Sequence, residues 1–420
     1  MHKILLTSLL LLTAHFTQAQ SKKVLFIGNS YTGNNNLPQL VADLASSAGD
    51  SLIFDGHTPG GARLMHHASN ANAMSKVFSD NWDHVVLQAQ SQEPSFPDAQ
   101  VQAEVFPYAA QLCDSIRAND SCTRPIFYMT WGRKNGDNFN CASWPPVCTY
   151  QGMDSILNQN YQIMAADNDA LVAPAGAVWN YIRANHPQIE LYAGDGSHPS
   201  LAGSYATACA FYSVIFRKNP ELITDNYTLS SAEANDIRTA ARIIAYDSLP
   251  QWNVGLFDPI ADFSVSDSGA TFTFTNLSEG ANSYAWDFGD GSGSNLLHPS
   301  HTYTASASFV VKLIVSKCGI SDTAQAVVNP VINTTAVGEN WKALKVKLFF
   351  DPDTRFLKAE WSDNQRLVGV KILNPMGQMV SDLPLSPHQE WDLSFLPVGL
   401  YLIRLESEKG QALVHKLVIH

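Results

Sequence analysis

Between Lys22 and Trp252 five short apolar runs, VLFIG, SLIFDG, HVVLQA, PIFYMTW and ALVAPAG, take turns with segments of helical periodicity. None of the five alternates with polar residues, as a strand with one wet face would, so each is expected to be a strand covered on both faces. Between the first two, Leu37, Leu40, Val41 and Leu44 share one helical face, and Gly49 is suited to end that helix. Strand and helix in regular succession predict an α/β fold, a parallel five-stranded sheet with helices on both faces. In such sheets ligands gather beyond the carboxyl ends of the strands. The first strand ends at Gly28-Asn29-Ser30.

The pattern changes after Asp258. Short alternating runs, ADFSVSD, TFTFTNLS, SYAWDFGDGS and HTYTASASFVVKLIVSK, are parted by Gly, Ser and Asn turns and read as a small β-sandwich. A polar connection, NPVINTTAVGEN, leads to a second β-rich module whose last two strands flank Lys409-Gly410. Three modules account for 420 residues, more than one ordinary domain holds.

The chain opens with MHKILLTSLLLLTAHFTQAQ, a lysine, an apolar run from Ile4 to Leu12, then small and polar residues. This reads as a secretory signal peptide with cleavage after Ala19, its core being too short to span a bilayer. No later segment offers a transmembrane span. The formal charge of −12, or −13 without Lys3, repels a phosphate backbone and argues against nucleic acid as a partner. Export permits disulfides among the six cysteines. Proximity in sequence suggests Cys113 with Cys122 and Cys141 with Cys148, leaving Cys318 alone and Cys209 a buried thiol in an all-apolar helix.

Ser30 after a strand can simply cap a helix or make a turn. The context lacks the second glycine of a G-x-S-x-G elbow and the G-K-[ST] of a phosphate loop. A counterpart lies far downstream in LYAGDGSHPSLAGSYATACAFYSVIF, where Asp195 precedes His198 by three residues and Pro199 suits a helix entry. The same residues can be an ordinary helix start, but a carboxylate so placed can bond Nδ1 and leave Nε2 free to take a proton from a serine. A serine hydroxyl needs that help near neutral pH. Donors to a developing oxyanion are available from Gly60 or Gly61 in TPGGARL and from Gln88, Gln90 or Gln92 in VVLQAQSQEP.

The blocks FIGNSYT, GG, VVLQAQSQ and DGSHPS, in this order over about 230 residues, resemble the SGNH (GDSL-type) hydrolase superfamily, and especially a secreted branch among Bacteroidetes. The resemblance implies a flavodoxin-like sheet, Ser30 as nucleophile, His198 as base and Asp195 as its orienting partner. It also implies an oxyanion hole from the N–H groups of Ser30 and Gly60 or Gly61 with a third side-chain donor. Two positions depart from the family pattern. Asn29 replaces an aspartate, and a glutamine must replace the third-block asparagine; Gln90 is preferred by alignment, with Gln88 and Gln92 as alternatives. Trp131, Arg133 and Lys134 follow the fourth strand and are candidates for the substrate cleft, and NFNCASWPPVCTY for a lip beside it. His57, His66 and His67 lack carboxylates at ligand spacing, so neither a metal nor another cofactor is expected.

YAWDFGDG, HPSHTY and FVVKLIV resemble a PKD-type domain, with Trp286 in its core and Asp287–Gly291 a tight hairpin rather than a kinase motif. VGVKILNPMGQMV, WDLSFLPVGLYLIRLES and ALVHKLVIH resemble the C-terminal sorting domain of type IX secretion, implying export through periplasm and outer membrane, then release or surface attachment. The implied organisation is a signal peptide (1–19), an SGNH-like hydrolase domain (20–255), a PKD-like domain (258–330) and a sorting domain (336–420). The implied function is a secreted serine esterase acting on an acyl ester, such as an acetyl ester, of a small molecule or polysaccharide. The rival is a non-catalytic surface module that binds glycans.

Overall fold

The computed structural model describes residues 19–331, 346–361, 367–384, 390–407 and 412–419. Residues 1–18 of the proposed signal peptide and the turn at Lys409-Gly410 lie outside the described residues. The chain divides into two compact units, one up to Phe263 with Leu277–Trp286 and Leu313–Ala324, the other Ser264–Asn276, Asp287–Lys312 and Gln325 onward.

The first unit is built on five parallel strands, β1 (Ser21–Ile27), β2 (Ser51–His57), β3 (His84–Leu87), β4 (Arg124–Tyr128) and β5 (Leu171–Ala173), in the order β2-β1-β3-β4-β5. All five apolar runs of the sequence are therefore strands of one sheet. Val24 to Ile27 and Val85 to Leu87 are wholly buried, because helices cover both faces. The helices are α1 (Ser30–Gly33), α2 (Leu37–Ser47), α3 (Leu64–Ser69), α4 (Ala71–Val77), α5 (Asp98–Glu104), α6 (Phe106–Asn119), α7 (Tyr150–Asp167), α8 (Ala175–Asn185), α9 (Leu201–Phe216) and α10 (Ser231–Ala241). Fifteen consecutive residues of α9 from Ala202 are buried, as its lack of a polar face requires. The order places β1 between β2 and β3, so the turns after all three lie side by side. This is the expected parallel α/β architecture, with the flavodoxin-like strand order.

Two expected features of the cysteines change. Cys141–Cys148 is bonded, but Cys122 pairs with Cys318 across 196 residues, not with Cys113. Cys113 sits on the inner face of α6 with no exposure, and burial pushes its thiol up to about 12. Cys318 has a left-handed backbone in the turn after FVVKLIVSK, which presents its sulfur to the loop before β4. Cys209 is the buried free thiol expected. Because the Cys122–Cys318 bond closes so long a loop, C122S/C318S should lower stability by roughly 2–5 kcal/mol, read as a fall in thermal midpoint. C141S/C148S, which opens a loop of seven, should cost less.

The residues after Asp258 form antiparallel strands β6 (Phe263–Ser268), β7 (Thr271–Asn276), β8 (Ser283–Asp287), β9 (Gly293–Ser294), β10 (Ser300–Thr302), β11 (Phe309–Lys317) and β12 (Ile320–Val328), in sheets β10-β7-β6 and β12-β11-β8-β9. Trp286 is buried, and Phe288 N–H donates to Ser292 O across the Gly289 and Gly291 turn. The turn is structural. His301 lies flat on Phe288 with centroids 4.3 Å apart and bonds Asp290 at 2.7 Å.

The last strands are β13 (Val346–Asp351), β14 (Phe356–Trp361), β15 (Leu367–Leu373), β16 (Met379–Leu383), β17 (Glu390–Asp392), β18 (Gly399–Ser407) and β19 (Ala412–Ile419). Sheets β13-β14-β17 and β16-β15-β18-β19 share one core that includes Leu357, Ile372, Trp391 and Ile403.

Candidate active site

Ser30 opens α1 directly beyond β1. The turn that presents it depends on a close approach that only glycine allows. A Cβ on Gly28 would lie 2.3 Å from Thr32 Oγ1 and 2.8 Å from Gln88 Oε1. Asn29 caps α1 by accepting from Tyr31 N–H at 3.0 Å, while its own N–H donates to Gln88 Oε1 at 2.9 Å.

The departure at position 29 has a physical reason. Asn29 Nδ2 donates to Ala62 O at 3.0 Å and so ties the serine turn to the TPGGARL loop, a bond no carboxylate could make. Asn29→Asp should set a buried carboxylate against that carbonyl and destabilise the fold by about 1–3 kcal/mol. Thermal melts at neutral pH check this, and an unchanged midpoint would refute it.

His198 lies in the loop before α9. Its Nε2 is 2.9 Å from Ser30 Oγ, and its Nδ1 is 2.6 Å from Asp195 Oδ2. The three side chains separated by up to 168 residues in sequence are thus in contact. Asp195 Oδ1 accepts from the N–H groups of Ser197 and His198 at 2.9 and 3.0 Å. Partial burial pushes the Asp195 carboxyl up, but these three donors outweigh it and hold the group down at about 2. Asp195 is therefore ionised at neutral pH and down through the usual carboxylate range.

The histidine loop is held from two sides. Asn35 Nδ2 is shared among Pro199 O, Ser200 O and Ser204 Oγ at 2.9–3.2 Å, joining the serine segment to the histidine segment. Below them, Tyr31 meets His198 edge-on at 5.2 Å, stacks on Trp131 at 5.1 Å and bonds Ser197 Oγ at 2.6 Å. Neither Asn35 nor Tyr31 is among the residues picked from the sequence. The run Asn34-Asn35-Asn36 was a signal, since asparagine tolerates the left-handed backbone that Asn35 and Asn36 adopt at φ 54° and 49°.

The three glutamines after β3 have different surroundings. Gln88 is wholly buried, its Oε1 bonded to Asn29 N–H and Thr32 Oγ1 and its amide N–H turned to Ala89 O. Gln92 Nε2 donates to Asp137 at 2.7 Å. Gln90 Oε1 accepts from the N–H groups of Gln92 and Glu93, which leaves Nε2 with only a 3.3 Å contact to Gln92 Oε1. Gly60 and Gly61 are exposed, and Gly61 has φ 66°. Their loop is fixed by Asn29 and by Arg63, which pairs with the buried Glu93 and with Glu104.

Of the residues expected in the cleft, Trp131 is wholly buried. It stacks on Trp179 with centroids 3.5 Å apart and donates to Ser197 O, so it is a floor beneath the histidine loop and has no surface for substrate. Arg133 is half-buried and pairs with Asp137, and Lys134 is exposed and pairs with Glu190. His57 and His67 meet at 3.2 Å through their Nδ1 atoms, while His66 accepts from Arg63 N–H. Among the described residues no group of three or more His, Cys, Asp or Glu side chains is placed to hold a metal ion.

Comparison with known proteins adds the modules that follow. Residues 258–330 match the model of the PKD domain, and residues 347–420 match that of the secretion system C-terminal sorting domain. The chain carries a secretion sorting domain. It is thereby marked for export and attachment at the outer surface, and among the described residues no helix is long and apolar enough to cross a membrane.

Among similar solved structures is an SGNH-hydrolase candidate from Slackia heliotrinireducens, 28% identical, covering 46% of this chain and 97% of its own, with a TM-score of 0.38. A DUF4886 family protein from Bacteroides uniformis is 17% identical over 55% of this chain and 95% of its own, at 0.48. The psychrotrophic esterase EstA from Pseudoalteromonas sp. is 13% identical over 47% and 97%, at 0.33. A search of curated protein sequences gave no match.

Proposed function

We propose that the α/β unit is a serine esterase that removes a short acyl group from an alcohol, with Ser30 as nucleophile. The contact of Ser30 Oγ with His198 Nε2 at 2.9 Å carries this reading, supported by Asp195 on the far side of the same ring. Ser30 Oγ attacks the acyl carbon while its proton passes to His198 Nε2. The carbon–oxygen bond to the alcohol then breaks, and His198 returns the proton to the departing oxygen. Water repeats the sequence on the acyl-serine and releases the acid.

Asp195, already ionised, keeps the imidazole in the tautomer with Nε2 free and stabilises the imidazolium when it forms. The N–H groups of Ser30 and of Gly60 or Gly61 and the amide of Gln90 are proposed to hold the oxyanion. Gln90 is favoured because Gln88 and Gln92 have committed their amide nitrogens elsewhere. Gln90→Ala should lower kcat by about 10²–10³ if it donates. An acetylated carbohydrate fits a secreted chain that carries a PKD domain. Acetate release from acetylated glycans and from simple aryl esters, measured side by side on the purified protein, tests the reading. Turnover of neither, with the protein folded, would overturn it.

A further inference from the structure

The loop from Arg133 to Thr149, between β4 and α7, carries the sharpest unused feature of the first unit. Its tip exposes Phe139, 87% of whose surface is open to solvent. Single apolar side chains on a surface are ordinary. This one is unusual in how firmly the chain around it is held.

Asp137, wholly buried, is the anchor. It accepts from Asn140 Nδ2 at 2.6 Å, Gln92 Nε2 at 2.7 Å, Phe139 N–H at 3.2 Å and Arg133 at 3.3 Å, and its backbone N–H donates to Val147 O at 2.7 Å. Burial raises its carboxyl, but those donors outweigh it and keep the group below its ordinary value. The Cys141–Cys148 bond closes the loop, and Trp144 Nε1 pins it to Ser95 O at 2.9 Å.

The loop also adjoins both halves of the candidate site. Lys134 N–H donates to Gly196 O in the histidine loop at 2.9 Å. Gln92, bonded to Asp137, also donates its N–H to Oε1 of Gln90, the glutamine proposed for the oxyanion hole. Arg133 and Lys134 are already paired with Asp137 and Glu190, so the loop offers no free cation to select an anion. What it presents is one rigidly based aromatic face.

We propose that Phe139 sets specificity by stacking on the alcohol portion of the ester when that portion is a neutral six-membered ring. A ring face can come from a pyranose or from an aryl group, and both present C–H or π surface to a phenyl ring. The proposal rests on the esterase reading and adds the class of leaving alcohol.

The test compares wild type, Phe139→Ala and Phe139→Trp on four acetates: an acetylated methyl glucopyranoside, phenyl acetate, cyclohexyl acetate and the ringless ethyl acetate. Phe139→Ala is expected to raise KM about tenfold for the ring-bearing esters that use the platform, with kcat within about twofold. Ethyl acetate should be unaffected, and Phe139→Trp should restore KM. A rise for the glucopyranoside alone assigns a sugar, and a rise for phenyl acetate alone assigns an aryl alcohol. Equal KM values for wild type and Phe139→Ala on every ring overturn the proposal while leaving the esterase intact. So does a uniform loss that includes ethyl acetate and is not rescued by tryptophan. A wild type that hydrolyses none of the four overturns both.

Discussion

Ser30→Ala is expected to lower kcat for a short acyl ester by at least about 10⁴-fold with little change in KM. The alcohol at position 30 lies 2.9 Å from His198 Nε2, and alanine removes the proton that the imidazole is to take. A loss of that size exceeds the about 10²–10³ that removal of one oxyanion donor costs. The variant should fold normally. Ser30 is at the first position of α1, and the cap and turn bonds are made by Asn29, Thr32 and Gln88, not by the serine side chain. Stopped or steady-state hydrolysis of an aryl acetate, with a melting curve as control, reads the effect. Retention of more than a few per cent of the rate would remove Ser30 from the mechanism.

Asp195→Asn should cost about 10²–10⁴ in kcat near neutral pH. The amide can still fill the space, but it can present an N–H to His198 Nδ1 and so favour the wrong tautomer, with Nε2 protonated against Ser30. A pH signature goes with it. Asp195 has a folded-state pKa of about 2, below the ordinary carboxylate value, so it binds fewer protons folded than unfolded. Its contribution to the stability of the histidine loop is therefore complete above the ordinary value of about 4 and is lost as pH falls through about 2. Acid unfolding of the wild type should lose that contribution in this window, and Asp195→Asn should abolish the dependence. An identical acid transition in both proteins would show that the carboxylate is not held as described.

The sheet was legible because β1, β3, β4 and β5 are buried on both faces and so read as apolar runs, whereas the edge strand β2 departs from that expectation and leaves Ile53 54% exposed. The order β2-β1-β3-β4-β5 then puts the turn at Gly28–Ser30 between its neighbours. Ser30 and His198 could be paired from sequence because each is the residue that gives the other a purpose, and their contact at 2.9 Å is geometric support for that pairing. Long-range bonds were not legible in this way. The partner of Cys122 is 196 residues away, so nearness along the chain pointed to Cys113, which packs inward from α6.

Side-chain destinations at strand ends were equally hidden. Trp131 and Gln88 have the types expected of a cleft and of an oxyanion donor, yet both are wholly buried, one stacked on Trp179 and the other bracing Asn29. Burial of a polar side chain demands partners, and those partners are scattered along the chain. Asn35 shows the converse: its local left-handed turn could be foreseen, but its grip on the loop before α9 could not.

The most direct test of the account is to expose the full protein to a fluorophosphonate and map the adduct by peptide mass. An activated serine should gain the phosphonyl group on the peptide holding Ser30 and nowhere else, and His198→Ala should lose the label. Ester hydrolysis that proceeds while Ser30 stays unmodified, or a label on a different residue, would contradict the mechanism.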